Sequence, residues 1–256
     1  MSMRQIPNIF TLLNLFFGCI AIVFILQTGE SLIMQDSGTW VAQFPEKIWW
    51  GAAFIGMAAV IDFLDGFVAR LFNASSAMGK QLDSLADLVS FGVAPGMIVY
   101  QLLRISYIGE ETGLDTSMMA LMPAFLLPCA GAYRLARFNL DNSQQYGFKG
   151  VPIPAVGLVV ASFPFILYGS TNYDLNAVFT NKWFLYAVIL ILSALMVSRL
   201  PLLALKFKDL SVKNNLPKII LLVLAVIAAI FLDWLAVPVV FILYIIVSLA
   251  FREKRF

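Results

Sequence analysis

Four aspartates lie inside long apolar segments of this sequence, where a carboxylate needs a partner. Asp62 and Asp65 fall in one apolar segment, and Asp83 and Asp87 fall in the next. A charged side chain at the centre of a membrane helix costs about 3 kcal/mol unless it is paired, hydrated or bound to a metal. These carboxylates are therefore the first candidates for a functional site.

The spacing of the aspartates places them on two helical faces. The first pair shares a face, at i, i+3, i+4 and i+7, with two small residues: Asp62, Asp65, Gly66 and Ala69. The second pair, at i and i+4, shares a face with small residues on either side: Gly79, Asp83, Asp87 and Ser90. The connector at 71–78 contains Asn73, Ser75 and Ser76, which permit a turn. We expect two antiparallel helices whose acidic faces converge.

Converging carboxylates without a nearby cluster of cations require metal ions. The chain contains no histidine, which excludes Ser-His-Asp triads, His-based acid–base catalysis and His metal ligands. Cys19 and Cys129 lie in apolar segments and indicate neither a disulfide framework nor a zinc site. Hard oxygen ligands favour Mg²⁺ or Mn²⁺, and two such ions can bridge a diphosphate during a displacement at phosphorus. Gly66 and Ala69 leave space for a ligand, and Arg70 offers a cation for phosphate.

The composition indicates the elements that position these residues. Apolar residues make up 61% of the chain and charged residues 12%, against roughly 45–50% and 25% in a soluble domain. A membrane-spanning helix needs about 20 apolar residues. The predicted fold is an all-α, polytopic integral membrane bundle of about eight transmembrane helices, with residues 1–256 forming a single domain. The predicted spans are 6–27, 48–72, 78–105, 117–138, 151–169, 183–199, 217–231 and 234–251.

The connection between the last two spans and the orientation of the chain in the membrane are two further features of the predicted topology. The last two spans form either a hairpin around Asp233 or one broken helix, which would reduce the count to seven. With eight spans and a cytoplasmic N-terminus, all basic residues lie on the inner side except Lys47, Arg104 and Lys182. This asymmetry is what the positive-inside rule predicts. We therefore expect a protein of the cell (inner) membrane whose N-terminus and acidic site face the cytoplasm.

The spaced motif resembles the signature of the CDP-alcohol phosphotransferase family. It runs Asp62-x2-Asp65-Gly66-x2-Ala69-Arg70-x8-Gly79-x3-Asp83-x3-Asp87 and matches that signature at every fixed position. The resemblance implies a CDP-activated lipid as donor, and implies that the first three aspartates hold two divalent ions around its diphosphate. It also implies that Asp87 is the catalytic base for the acceptor alcohol and borders the metals.

Four further segments resemble the phosphatidylserine synthase branch of this family: 6–16, 90–96, 133–139 and 150–155. The resemblance covers about residues 5–170, with the catalytic motif at 62–87 and an acceptor-side loop at about 134–154. The helices over 183–251 complete the bundle. The resemblance to this branch implies CDP-diacylglycerol as donor and L-serine as acceptor. It also implies phosphatidylserine and CMP as products, and a homodimer. We do not expect a nucleic acid among the partners of this protein.

Candidate contacts to the substrates follow from position. For the CDP and diphosphate groups the candidates are Asn8, Thr11, Gly66, Ala69, Arg70 and Gly79. For the acceptor they are Ser90, Arg134, Arg137 and Lys149. Arg134 and Arg137, at i and i+3 near a helix end, are suited to a carboxylate, although ordinary inner-side anchoring explains them too. Asn14 shares a broad face of the first helix with Asn8 and Thr11 and is a further candidate for the donor. Helix capping explains Asn8 too, and interhelical hydrogen bonding explains Thr11 and Asn14.

Other functions compete with this interpretation. A sister transferase would use glycerol phosphate or inositol phosphate as acceptor, or an archaeal lipid with serine. A membrane prenyltransferase also binds a diphosphate through Mg²⁺, but its two acidic motifs usually lie far apart in sequence. An ion-coupled transporter would use the aspartates as an ion path, without releasing CMP.

Overall fold

Helices account for most of the residues that the computed structural model describes. The described residues are 6–27, 31–34, 40–43, 47–71, 76–108, 116–140, 148–169, 175–203 and 212–251. The helices are α1 Ile6–Leu26, α2 Lys47–Leu71, α3 Ala77–Ile108, α4 Met118–Leu140, α5 Ile153–Gly169, α6 Asn176–Phe179, α7 Lys182–Val197, α8 Val212–Leu232 and α9 Ala236–Ala250. Two antiparallel pairs of short strands join them: β1 Ser31–Met34 with β2 Trp40–Gln43, and β3 Phe148–Lys149 with β4 Pro201–Leu202.

Each predicted span coincides with one helix, and the chain is an all-α integral membrane protein. Five stretches are long and apolar enough to cross a membrane: Pro7–Leu26, Lys47–Val68, Ala77–Ile108, Met118–Leu140 and Asn215–Ala250. Helices α5 and α7 are apolar but shorter, with 17 and 16 residues. The sequence did not indicate the strand pairs, because they lie in segments without a clear apolar alternation.

The last stretch is divided into two helices, as expected for a hairpin. A 3₁₀ turn over Asp233–Leu235 separates α8 from α9. Asp233 has a positive φ of 47°, a conformation that reverses the chain locally and that aspartate tolerates better than most residues. Because α8 and α9 also contact each other beyond this turn, they are separate elements.

Small residues allow α1, α3 and α5 to approach closely around the middle of the bundle. A Cβ atom on Gly18 of α1 would lie 2.3 Å from the Ser90 hydroxyl oxygen. A Cβ atom on Gly157 of α5 would lie 2.9 Å from the Cα atom of Phe91. Such contacts are typical of membrane helices, whose association depends on close packing rather than on expulsion of water.

Helix α3 changes its winding immediately after its second aspartate. Residues Leu88–Val93 form a π-helical segment, and the Ala94 N–H donates to the Val89 carbonyl five residues earlier. Ser90, Phe91 and Gly92 are buried in this segment. Short π-helical segments inside α-helices occur frequently at functional sites, and here the segment separates the acidic end of α3 from its apolar end.

Candidate active site

A polar cavity of about 690 Å³ lies where α1, α2 and the start of α3 meet. All four aspartates of the motif line it: Asp62, Asp65, Asp83 and Asp87. Helices α1 and α2 pack closely along their lengths, which fixes the first pair of aspartates against α1. The convergence that the spacing predicts is therefore present, and the cavity has the size of a typical ligand site.

Three of the carboxylates come close enough together to share a metal ion. One oxygen each from Asp62, Asp83 and Asp87 lies within 4.8 Å of the others. Asp87 is buried, and Asp62 and Asp83 are partly buried. Since all the donors are carboxylate oxygens, the set suits Mg²⁺ or Mn²⁺ better than softer metals. The residues fit the metal that the motif implies.

The fourth aspartate, Asp65, is held against the first helix. It is buried, and the Thr11 hydroxyl lies within hydrogen-bond distance of its carboxylate. The same hydroxyl lies 3.2 Å from the Pro7 carbonyl oxygen, so α1 offers it a second acceptor. Thr11 was predicted to contact the CDP group. In the structure this residue of α1 lines the cavity and contacts Asp65.

Asn14 connects the first helix to Asp87. Its side-chain amide donates to the Asp87 carboxylate over 3.4 Å, and its side-chain carbonyl oxygen is buried without a hydrogen bond. The Ser90 hydroxyl donates to the Asn14 backbone carbonyl over 3.0 Å. Ser90, predicted as an acceptor contact, therefore lies fully buried between α1 and α3, where it fixes Asn14 and Asp87 relative to each other.

The glycines of the motif occupy two different environments. A Cβ atom on Gly66 would meet no atom within 4 Å, which agrees with the prediction that this position leaves space for a ligand. A Cβ atom on Gly79 would lie 3.1 Å from the side-chain oxygens of Asn8 and Ser76. Ser76 caps α3, accepting a hydrogen bond from the Gly79 N–H over 2.9 Å. Asn8 therefore lies at the mouth of the cavity, beside the start of α3.

Three predicted contacts lie partly outside the described residues. Ala69 and Arg70 belong to the last turn of α2, but their side chains are outside the described part. Lys149 pairs with Pro201 in the β3–β4 ladder, and its side chain is also outside it. Their proposed roles remain predictions.

Arg134 is the cation that α4 brings closest to the aspartates. Its side chain is buried, its Nε atom has no hydrogen-bond partner, and its guanidinium lies 5.9 Å from the centre of the Phe138 ring. Its charge interacts with that of Asp87, and Tyr244 of α9 lies near it. A buried guanidinium with an unpartnered N–H beside the acidic cavity is suited to bind an anionic group of a substrate.

Arg137 lies one turn further along but has different partners. Its guanidinium donates to the Val197 and Ser198 carbonyls, each over 2.8 Å. These carbonyls end α7, so Arg137 fastens α4 to α7. The two arginines, which the sequence paired as acceptor contacts, are therefore in different environments.

Lys80 and Tyr244 make contacts near the site that the sequence did not indicate. Lys80 lines the cavity, and its ammonium group lies 3.4 Å from the Asn139 carbonyl oxygen and 5.6 Å from the Phe138 ring centre. In the sequence, the indication for Lys80 was its position directly after Gly79 and one turn before Asp83. Tyr244 had no signal, because α9 is a uniformly apolar helix. Its hydroxyl donates to the Leu203 carbonyl over 3.0 Å.

The chain is similar in sequence to known proteins over most of its length. The CDP-diacylglycerol–serine O-phosphatidyltransferase of Helicobacter pylori is 34% identical over 197 residues, covering 76% of this chain and 70% of that protein. The enzyme of the same name from Mycobacterium leprae is 35% identical over 189 residues, covering 69% and 56%. That of Mycobacterium bovis is 29% identical over 274 aligned positions, covering 99% and 80%. The family model for CDP-alcohol phosphatidyltransferases matches residues 4–200, which include all four aspartates and Arg134. The chain therefore belongs to the CDP-alcohol phosphatidyltransferase family.

Proposed function

We propose that this protein transfers the phosphatidyl group of CDP-diacylglycerol to the hydroxyl of L-serine, giving phosphatidylserine and CMP. The observation that carries the proposal is the group of Asp62, Asp83 and Asp87, whose ligand oxygens lie within 4.8 Å of one another on the wall of a polar cavity. In a chain of this family, such a cavity is suited to a diphosphate and its metals. Relatives over most of the chain bear the name of this serine transferase.

The donor side of the site is formed by α1, α2 and the start of α3. The four aspartates would hold two Mg²⁺ or Mn²⁺ ions, which when bound neutralise the charge of the diphosphate. Thr11 orients Asp65, and Gly66 leaves the helix backbone open toward the cavity. Asn8 and Lys80 line the same cavity and are placed to contact the nucleotide and its phosphates. Ala69, Arg70 and Gly79 complete this proposed set.

The acceptor side of the site combines Asp87 with Arg134. Asp87 accepts the proton of the serine hydroxyl, the serine oxygen attacks the β-phosphorus of the donor, and CMP leaves. Asn14 orients Asp87 through its amide hydrogen bond. Arg134 binds the serine carboxylate, which places the hydroxyl near Asp87. A positioned general base contributes about 10²- to 10⁴-fold to such a rate. No step requires a covalent intermediate, so we propose a sequential displacement.

The same proposal includes the setting of the enzyme. The cavity faces the cytoplasm and the protein lies in the inner membrane, as the distribution of basic residues indicates. By analogy with the family, we propose a homodimer. Labelling of single cysteines introduced at the cavity mouth in intact cells tests the first statement, and cross-linking in membranes tests the second.

Measurement of CMP release from the purified full-length protein tests the function. The protein is incubated with CDP-diacylglycerol, Mg²⁺ and L-serine, glycerol phosphate, inositol phosphate or ethanolamine in separate reactions. We expect serine-dependent CMP release in detergent without any ion gradient. Preferential use of a phosphorylated alcohol would replace serine by another acceptor. Ion flux in liposomes without CMP release would instead identify a transporter and overturn the proposal.

A further inference from the structure

Two buried side-chain atoms close to Asp87 have no hydrogen-bond partner among the residues that the structure describes. One is the side-chain carbonyl oxygen of Asn14 on α1, and the other is the Nε atom of Arg134 on α4. Asn14 is 0% exposed and Arg134 is 6% exposed, so neither atom is open to solvent. A buried polar atom without a partner is destabilising and calls for an explanation. A ligand that pairs with both atoms would provide one.

The other polar groups of Asn14 hold this residue against α3. Its side-chain amide donates to the Asp87 carboxylate over 3.4 Å, and its backbone carbonyl accepts a hydrogen bond from the Ser90 hydroxyl over 3.0 Å. The small side of Gly18, one turn further along α1, permits this close approach of the two helices. Because the amide nitrogen serves Asp87, the side-chain oxygen is left as a hydrogen-bond acceptor beside the proposed base.

Asn14 is separated from the residues of α1 that face the donor. Asn8 and Thr11 line the acidic cavity that we propose for the CDP group, whereas Asn14, one turn beyond Thr11, does not. Arg134 does not line that cavity either, although its charge interacts with that of Asp87. Asn14 and Arg134 are therefore better placed for the acceptor than for the donor.

The two unpartnered atoms have opposite hydrogen-bonding character. The Asn14 oxygen can only accept a hydrogen bond, and the Arg134 Nε–H can only donate one. A ligand that satisfies both needs an N–H or O–H donor close to an anionic group. Serine carries an ammonium group and a carboxylate on one carbon, with its hydroxyl on the next. Hydrogen bonds to charged groups are the stronger ones, so an ammonium group suits the Asn14 oxygen better than a neutral hydroxyl does.

We propose that the side-chain oxygen of Asn14 binds the ammonium group of the acceptor and so selects an amino alcohol. The proposal rests on the proposed function, in which Arg134 binds the carboxylate of the same molecule and Asp87 receives its hydroxyl proton. Asn14 then has two roles on two atoms, since its nitrogen orients Asp87 and its oxygen binds the acceptor. Because neither unpartnered atom is exposed, the acceptor reaches them only after side chains beside Asp87 move, which is common on binding.

Three substitutions separate recognition of the ammonium group from orientation of Asp87 and from packing. Asn14→Leu removes both polar atoms of the side chain at similar size. Asn14→Asp retains an acceptor oxygen but removes the donor to Asp87. Gln101→Leu is the matched control, because Gln101 is also a buried amide that joins α3 to α1. Its side chain donates to the Ile25 carbonyl over 3.0 Å, in the apolar part of α3 away from the aspartates.

Comparison of three acceptors measures the recognition of each acceptor group. The full-length proteins are incubated with CDP-diacylglycerol, Mg²⁺ and either L-serine, 3-hydroxypropionate, which lacks the ammonium group, or ethanolamine, which lacks the carboxylate. CMP release above an acceptor-free control gives kcat/KM for each acceptor. Misorientation of Asp87 lowers kcat/KM for all three acceptors alike, so the ratios between acceptors report recognition alone.

The expected ratios differ between the variants. The parent enzyme and Gln101→Leu should favour serine over 3-hydroxypropionate by roughly 10- to 150-fold, the factor expected for one hydrogen bond to a charged group. Asn14→Leu should reduce this preference by the same factor and leave the preference for serine over ethanolamine unchanged. Arg134→Ala should show the reverse pattern. Asn14→Asp should keep the preference for serine over 3-hydroxypropionate but lower kcat/KM for every acceptor.

The outcomes separate this proposal from the proposed function. Serine-dependent CMP release by Asn14→Leu with an unchanged preference over 3-hydroxypropionate would overturn the role of the Asn14 oxygen and leave the transferase intact. An equal loss of preference in Gln101→Leu would reduce Asn14 to packing of α1 on α3, which also overturns it. If Asn14→Leu does not fold, loss of the preference in Asn14→Asp overturns it, because an acceptor oxygen is retained there. No CMP release by the parent enzyme with any acceptor would instead remove the proposed function itself.

Discussion

Separate replacement of Arg134 and Arg137 by alanine should distinguish acceptor binding from helix positioning. Arg134 is buried next to Asp87 with an unpartnered Nε atom, whereas Arg137 donates to two carbonyls at the end of α7. Of these two arginines, we therefore propose that Arg134 binds the carboxylate of serine. We expect Arg134→Ala to raise the serine KM and Arg137→Ala to lower the stability of the protein.

The expected size of both effects follows from these contacts. A hydrogen bond to a charged group contributes about 1.5–3 kcal/mol, so Arg134→Ala should raise the serine KM roughly 10- to 150-fold. The KM for CDP-diacylglycerol should change little, because Arg134 does not line the cavity that we propose for the donor. Arg137→Ala removes two hydrogen bonds of 2.8 Å but leaves carbonyls at a helix end. Its cost should be about 1–3 kcal/mol of unfolding free energy.

Steady-state CMP release at varied serine and saturating CDP-diacylglycerol measures the first effect, and thermal unfolding in detergent measures the second. Ethanolamine is the control acceptor, because it lacks the carboxylate. It should be a poor substrate for the parent enzyme, and Arg134→Ala should change its use little. Equal increases of the serine KM in both variants would refute the distinction between the arginines. Loss of CDP-lipid binding in Arg134→Ala would assign that arginine to the donor.

Three other expectations concern the aspartates and their support. Asp62→Asn or Asp83→Asn should abolish CMP release in buffer containing Mg²⁺ while the protein still inserts into the membrane. The reason is that an amide lacks the charge that holds a metal beside a diphosphate. Near-normal CMP release from either variant would contradict a metal role. Removal of divalent ions with a chelator should stop CMP release, and Mg²⁺ or Mn²⁺ should restore it; activity that survives the chelator excludes a metal-dependent site. Asp87→Asn should retain CDP-lipid binding in a titration better than Asp83→Asn yet lose transfer, and equal losses of binding would argue against a separate base.

The sequence predicted the helices and the acidic site well because both depend on local patterns. Long apolar runs determine where membrane helices form, and the i, i+3 and i, i+4 spacing determines that Asp62 and Asp65, or Asp83 and Asp87, share a face. The turn between α2 and α3 then leaves little freedom in how the two faces meet. Ser76 is an example, since it lies in the predicted turn and caps α3.

The partners of individual side chains were less predictable because they depend on packing between distant segments. Arg134 and Arg137 are alike in sequence, and only the end of α7 near Arg137 makes them different. Ser90 follows the motif and was assigned to the acceptor, but Gly18 brings α1 so close that its hydroxyl is enclosed there.

The π-helical segment Leu88–Val93 sets the direction in which Asp83 and Asp87 face relative to the second half of α3. Each residue of an α-helix turns the chain by about 100°. A π turn holds about one residue more than an α turn. If the segment took α-helical winding with all its residues retained, Asp83 and Asp87 would therefore rotate by about that angle relative to Ile98 and the rest of the buried second half of α3. The carboxylates would leave the cavity although every residue that lines it remained. The π-helical winding between the acidic and apolar parts of α3 is therefore a requirement of the site alongside the identity of the aspartates.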